Sequence, residues 1–227
     1  MSQLGLLALS GSLFVGTHFA MSHPLRATLV RMLGERGFLL AYVVVSFATF
    51  YGIAHFYRPA SVEAPVPLWQ AGGAVWMVAT LLMGAGSVLF VGSLRSNPAL
   101  PTGGAAVTWI GAPHGVFAIT RHPMMWGFAL WALVHAVVNP TLPSLVVSAT
   151  IAILALGGAA GQDAKKSKLI GAPWAEWREA TAFVPFGKGF ALPGTFAFVG
   201  GTVLWLVATY AHGALGYRPA GVWVFFA

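Results

Sequence analysis

Residues 115–140 read GVFAITRHPMMWGFALWALVHAVVNP. The stretch opens on a polar, basic segment, Thr120-Arg121-His122. Pro123 follows and suits a first helical turn, where its missing N–H would be unpaired in any case. Met124 to Val138 is then apolar except for His135, and Asn139-Pro140 closes the run with turn chemistry. A helix this apolar lies in a large core or in lipid. An ionisable side chain inside it is costly, which makes His135 a functional candidate.

The whole chain has the same character. Of its 227 residues 58% are hydrophobic and 7% charged, against about 25% charged in a soluble domain. A soluble fold of this length has too little interior to hide that much apolar surface. The composition therefore predicts an all-α polytopic membrane helix bundle, with residues 1–227 forming a single integral membrane domain. Cysteine is absent, which excludes disulfides and thiolate chemistry. The net charge of +7 does not indicate nucleic acid, because the basic residues flank apolar spans. Orientation in the lipid bilayer and anionic head groups account for that pattern. The N-terminus lacks a basic leader and a cleavage site, and reads as the first span rather than a removed signal peptide.

A bilayer core of about 30 Å needs about 20 apolar residues per helix. Six stretches qualify: Leu4–Ala20, Phe38–Phe56, Trp69–Gly92, Gly115–Val138, Leu142–Gly161 and Phe196–Leu215. Arg26, Arg31, Arg36, Arg95, Arg121, Lys165, Lys166, Lys168, Arg178 and Lys188 fall in alternate connections, and only Arg58 and Arg218 in the others. Ten against two makes the first set cytoplasmic and puts both termini on the outer, periplasmic side. The expected location is a bacterial inner membrane. Among the connections, Pro24–Leu33 reads as a short interfacial helix and Leu94–Ala112 as a loop. Asp163–Lys168 reads as a solvated charged turn. Pro173–Ala182, with Trp174 and Trp177 on one face, reads as a helix along the head groups.

Chemistry in such a chain falls to the histidines, because all five acidic residues lie outside the spans. There is no nucleophile elbow, phosphate-cradling loop or HExxH. His18 and His135 stand out because they interrupt apolar spans, and imidazole ligates metals and haem iron. The bland alternative for any of them is a hydrogen bond to a neighbouring helix. Thr120-Arg121-His122-Pro123 sits where a helix begins, a place that attracts anions. A phosphate, a carboxylate or a haem propionate would fit there, with Arg26 as a further contact; the alternative is an arginine that only sets topology. By depth along the spans, His18 pairs better with His122 than with His135.

Three blocks carry a family resemblance: GTHFAMSHPLRATLVRMLGERGFLLAYVVVSF at 16–47, ITRHPMMWGFALWALVHAVVNP at 119–140, and DAKKSKLIGAPWAEWREATAFVPF at 163–186. Together they resemble the NnrU family of bacterial membrane proteins, which includes the plant and cyanobacterial zeta-carotene cis-trans isomerases. The resemblance implies haem b as cofactor, with His18 and His135 as axial ligands and as the catalytic pair. Ala132 stands where the plant enzyme has a cysteine that can ligate instead. The implied activity is cis-trans isomerisation of a polyunsaturated isoprenoid such as a carotenoid. The NnrU name is also associated with denitrification and nitric oxide metabolism, which implies an accessory haem protein as the alternative. Arg121-His122-Pro123 further resembles the motif with which isoprenylcysteine and phospholipid methyltransferases bind S-adenosylmethionine, a third reading.

Overall fold

The computed structural model describes residues 1–100 and 110–225. In order, the helices are α1 (Gln3–Ser22), α2 (Arg26–Glu63), α3 (Gly73–Gly92), α4 (Val116–Ile119), α5 (Pro123–Val138), α6 (Leu142–Ile170), α7 (Ala172–Ala180) and α8 (Thr195–Ala214), with a 3-10 turn at Val222–Phe225. No strand occurs among the described residues. Helices α1, α2, α3, α6 and α8 are long and apolar enough to cross a membrane. The apolar α5 has 16 residues, about 24 Å of helix against a hydrocarbon core of about 30 Å.

Local chemistry sets the helix ends. Ser2 caps α1 by accepting from the Gly5 N–H at 3.0 Å, and Thr141 caps α6 by accepting from Ser144 N–H at 3.4 Å. In α2, Gly34 has φ 70° and ψ 170°, a conformation that glycine adopts without a Cβ clash. It separates Arg26–Leu33 from the helix behind it, so a short helix is present, as the first turns of α2, where one was expected over Pro24–Leu33. Arg26 bridges the break, 3.1 Å from Glu35 and 5.3 Å above the Phe38 ring.

The helices form two groups. In one, α1 packs on both α2 and α6; in the other, α3 packs on both α5 and α8. The α5–α6 hairpin joins the groups. Leu7, Phe14, Ile53 and Ala60 form the core of the first, with Val146, Val147, Ile151 and Leu154 of α6 against it. Small residues sit where backbones approach. A Cβ at Gly201 on α8 would fall on the backbone of Val88 on α3. Gly201→Ala is accordingly expected to cost about 1–3 kcal/mol by overpacking, read as earlier thermal unfolding in detergent. Gly158→Ala, with open space around the new methyl, should leave unfolding unchanged.

Three expectations need correction. The Gly115–Val138 span is broken: α4 ends at Ile119, and α5 starts only at Pro123. Proline disfavours the helical region for the residue before it, and His122 sits at φ −122°, ψ 53°. The expected charged turn at Asp163–Lys168 is helix. Nothing in that segment breaks a helix before Gly171, at φ 72°, so α6 runs 29 residues and its turns after Gly161 project beyond the apolar segment. Asp163 and Lys166 are buried there, not solvated. The helix expected along the head groups exists as α7, yet Trp174 and Trp177 face inward, in a core with Leu89, Val116, Phe117, Ile119 and Ala197. The part of the expected Leu94–Ala112 loop at 101–109 lies outside the described residues.

Candidate functional site

At the end of the bundle that carries the lysines, the break before α5 lies alongside the chain that follows α7. Arg121 N–H donates to the Ala182 carbonyl at 2.9 Å, and Phe186 N–H donates to the Ile119 carbonyl at 2.9 Å. The Thr120 hydroxyl donates to the Phe183 carbonyl at 2.6 Å. The backbone freed by Pro123 thus finds partners within the protein, which allows the break to be buried. It also turns two consecutive side chains toward α6. Arg121 Nε lies 2.9 Å from Asp163 Oδ2 and Nη2 2.7 Å from the same oxygen, while Nη1 donates to the Thr181 carbonyl at 3.2 Å. His122 Nε2 lies 3.0 Å from Asp163 Oδ1. Arg121, His122 and Asp163 are 8%, 2% and 8% exposed.

Asp163 is therefore the centre of a buried three-residue network. Burial alone would raise its pKa, but the hydrogen bonds from His122 and Arg121 and their charges outweigh it and hold the carboxyl at about 2, below the ordinary 3.8. A carboxylate with a folded pKa below its unfolded one stabilises the fold above the unfolded pKa and loses that contribution as pH falls through the folded one. Acid titration of the purified protein should therefore show stability falling between about pH 4 and pH 2, and Asp163→Asn should remove that step.

The network changes the meaning of the helix start. An anion site would need Arg121 free, whereas its guanidinium is already engaged by Asp163 and Thr181. Arg26 is likewise engaged by Glu35 and is not part of this network. Beside His122 is a cavity of about 30 Å³ lined by Asn97, Ala99, Leu100, Arg121, Met124, Met125 and Gln162. Ligands the size of S-adenosylmethionine occupy pockets of roughly 300 Å³ or more.

The two histidines singled out by the resemblance are not together. His18 Nδ1 is 2.7 Å from the Phe14 carbonyl, and its Nε2 is 3.2 Å from the Ser46 hydroxyl on α2. Against α6, its neighbour Phe19 meets Gly157. The His135 carbonyl instead lies 3.5 Å from the Ser144 hydroxyl, at the start of α6. About a dozen residues of α6 separate the two levels, roughly 18 Å at 1.5 Å per residue. His122 also lies apart from His18, facing Asp163.

His135 has a different companion. Its ring centre is 6.4 Å from that of His212 on α8. Each ring is oriented by the carbonyl four residues earlier: His135 Nδ1 by Trp131 at 2.8 Å and His212 Nδ1 by Ala208 at 2.8 Å. Both Nε2 atoms are left without a hydrogen bond among the described residues. Trp131 stacks on His135 with ring centres 3.9 Å apart. Both helices pack on α3 without an extensive contact between them. On the other side of α5, Leu133, Val134 and Val137 join Ala74, Val75, Val78, Ala79 and Leu82 around an apolar groove of about 330 Å³.

A metal needs donors whose other atoms are fixed. The described residues contain no cluster of three or more His, Asp or Glu that could hold an ion, which leaves a two-imidazole arrangement as the available kind. In such a site each nitrogen is about 2 Å from the metal and about 1 Å from its own ring centre, so trans rings sit about 6 Å apart. The ring centres of His135 and His212, 6.4 Å apart, come close to that spacing, whereas His18 lies at another level of the bundle.

Sequence reasoning missed Asp163, which lies 42 positions from Arg121, and did not single out His212. The recurrence of histidine near the same end of α5 and α8 was the available signal for the latter. No curated protein and no solved structure matches the chain. The family described as NnrU protein matches residues 6–219. With nearly all of its length matched, this membrane helix bundle belongs to the NnrU family.

Proposed function

We propose that the chain binds haem b through His135 and His212, and that it isomerises a cis double bond of a polyunsaturated isoprenoid. The observation that carries the reading is the facing pair of imidazoles, 6.4 Å apart at their centres, each with Nδ1 held by a backbone carbonyl. The protein's own contribution is orientation and exclusion of water. Trp131 fixes one face of His135, and α3 closes the back of the space between α5 and α8. His135 is half-buried and His212 exposed, so His212 is the ligand that can be displaced. When bound, haem supplies an iron that polarises a conjugated double bond and lowers its barrier to rotation.

The test has two stages. Protein purified in mild detergent should carry a Soret band at one haem per chain, and a folded preparation without haem would overturn the reading. Incubation with a poly-cis carotenoid under reducing conditions should then yield the isomerised product. Haem without product would move the protein to an accessory role in nitrogen-oxide metabolism, the second activity associated with the family name.

A further inference from the structure

Away from His135 and His212, the turn between α1 and α2 meets the end of α6 and brings basic groups together. His23 lies against Gly161, where a Cβ would fall on its imidazole. Lys165 follows Gly161 by four residues, one helical turn or about 6 Å along the same side of α6. Arg26 opens α2 just after His23. These groups are close enough to feel one another. Burial first, and then the charge of Arg26, hold the Lys165 ammonium below its ordinary 10.5. Burial and then the charge of Lys165 also lower the pKa of His23.

The charged groups nearby differ in what they already hold. Asp163, the carboxylate of α6, is taken by Arg121 and His122. Lys166 is buried, and its Nζ donates to the Leu100 carbonyl at 3.1 Å. Arg26 meets Glu35 through Nη2 alone, which leaves its Nε and Nη1 without a hydrogen bond among the described residues. The Lys165 ammonium and the His23 ring make no hydrogen bond or ion pair among the described residues either. A neutral imidazole donates through one nitrogen and a charged one through both, so His23 offers a donor in either form. An ammonium, a guanidinium edge and an imidazole, with Glu35 as their only nearby counter-charge, match the oxygens of a phosphate. Charge-assisted hydrogen bonds from Arg and Lys to phosphate are short and strong.

We propose that His23, Arg26 and Lys165 form a binding site for a phosphate group at this end of the bundle. Two sources share that chemistry: the phosphodiester of an anionic phospholipid, and free phosphate from the aqueous phase. The surroundings favour the lipid. Leu25, Met32 and Leu33, at the start of α2 and in its first turns, are exposed. They form an apolar surface that acyl chains match and free phosphate does not use. Basic groups next to membrane spans also attract anionic lipid.

The experiment is calorimetric titration of the full-length protein in dodecyl maltoside with three probes: dioctanoyl phosphatidylglycerol, dioctanoylglycerol, which lacks the phosphate, and sodium phosphate. The expected result is saturable binding of one phosphatidylglycerol per chain and none of dioctanoylglycerol. Lys165→Gln and Arg26→Gln should each weaken that binding roughly tenfold, the effect of one lost charge-assisted contact. Lys168→Gln, on an exposed lysine further along α6, should leave it unchanged. Saturable binding of sodium phosphate without that of phosphatidylglycerol, weakened by the same two variants, identifies the free anion as the source. Equal weakening by Lys168→Gln, or no weakening by Lys165→Gln, means diffuse attraction and overturns the proposal. Saturable binding of neither phosphate probe also overturns it. If Arg26→Gln unfolds early through loss of Glu35, Lys165→Gln alone decides, because the Lys165 ammonium holds no partner in the fold.

Discussion

Asp163→Ala is expected to destabilise the protein by about 3–5 kcal/mol, the cost of removing one partner from a buried ion pair. Two residues lose by it. Arg121, 8% exposed, keeps one bond to the Thr181 carbonyl, and His122 loses the partner of its Nε2. Thermal unfolding in detergent should fall by roughly ten degrees or more for a chain of this size. The double variant Arg121→Met/Asp163→Leu discriminates between a need for charge and a need for filled space. Replacing a buried pair with apolar groups of similar volume is often neutral, so the double variant should regain most of the loss. If it unfolds as early as Asp163→Ala, the network matters through His122 and the pairing at residues 181–183 rather than through charge.

The second large effect concerns the cofactor. His135→Ala and His212→Ala should each abolish or shift the Soret band, because either removes one of two axial donors. His18→Ala should leave it unchanged: its Nε2 already meets the Ser46 hydroxyl, and about 18 Å of helix separates its level from His135. Loss of the band in His18→Ala with retention in His212→Ala would restore the ligand pair that the family resemblance implies. His55→Ala, on a ring stacked against Tyr51, is the control for substituting a histidine as such.

What could be read from residues alone divides along a physical line. Hydropathy reports whether a segment can sit in lipid, and five of the six expected spans correspond to helices long enough to do so. The glycine-broken start of α2 was readable because Leu25, Leu29, Met32 and Leu33 repeat at helical spacing. Asp163 was not readable. Its neighbours Lys165, Lys166 and Lys168 give the segment the composition of a solvated turn, and pairing with Arg121 cancels the burial cost that composition assumes. Trp174 and Trp177 failed for a related reason. An amphipathic helix with aromatic residues has the same pattern whether its apolar face meets lipid or the chain's own Phe117. The break at residues 120–122 hid inside an apolar average, although Pro123 marked its position.

The division of the helices into two groups bears on how the chain is made. Leu7 emerges from the ribosome early, but part of the wall that covers it, Val146 to Leu154 of α6, is translated more than a hundred residues later. At about 5–20 residues per second, that leaves Leu7 of α1 waiting roughly 7–30 s for its third helix. The second group also waits, since α3 ends at Gly92 and α8 begins only at Thr195. Both bundles therefore stay open toward lipid during most of synthesis, and a ribosome stalled between α5 and α6 would leave neither one closed.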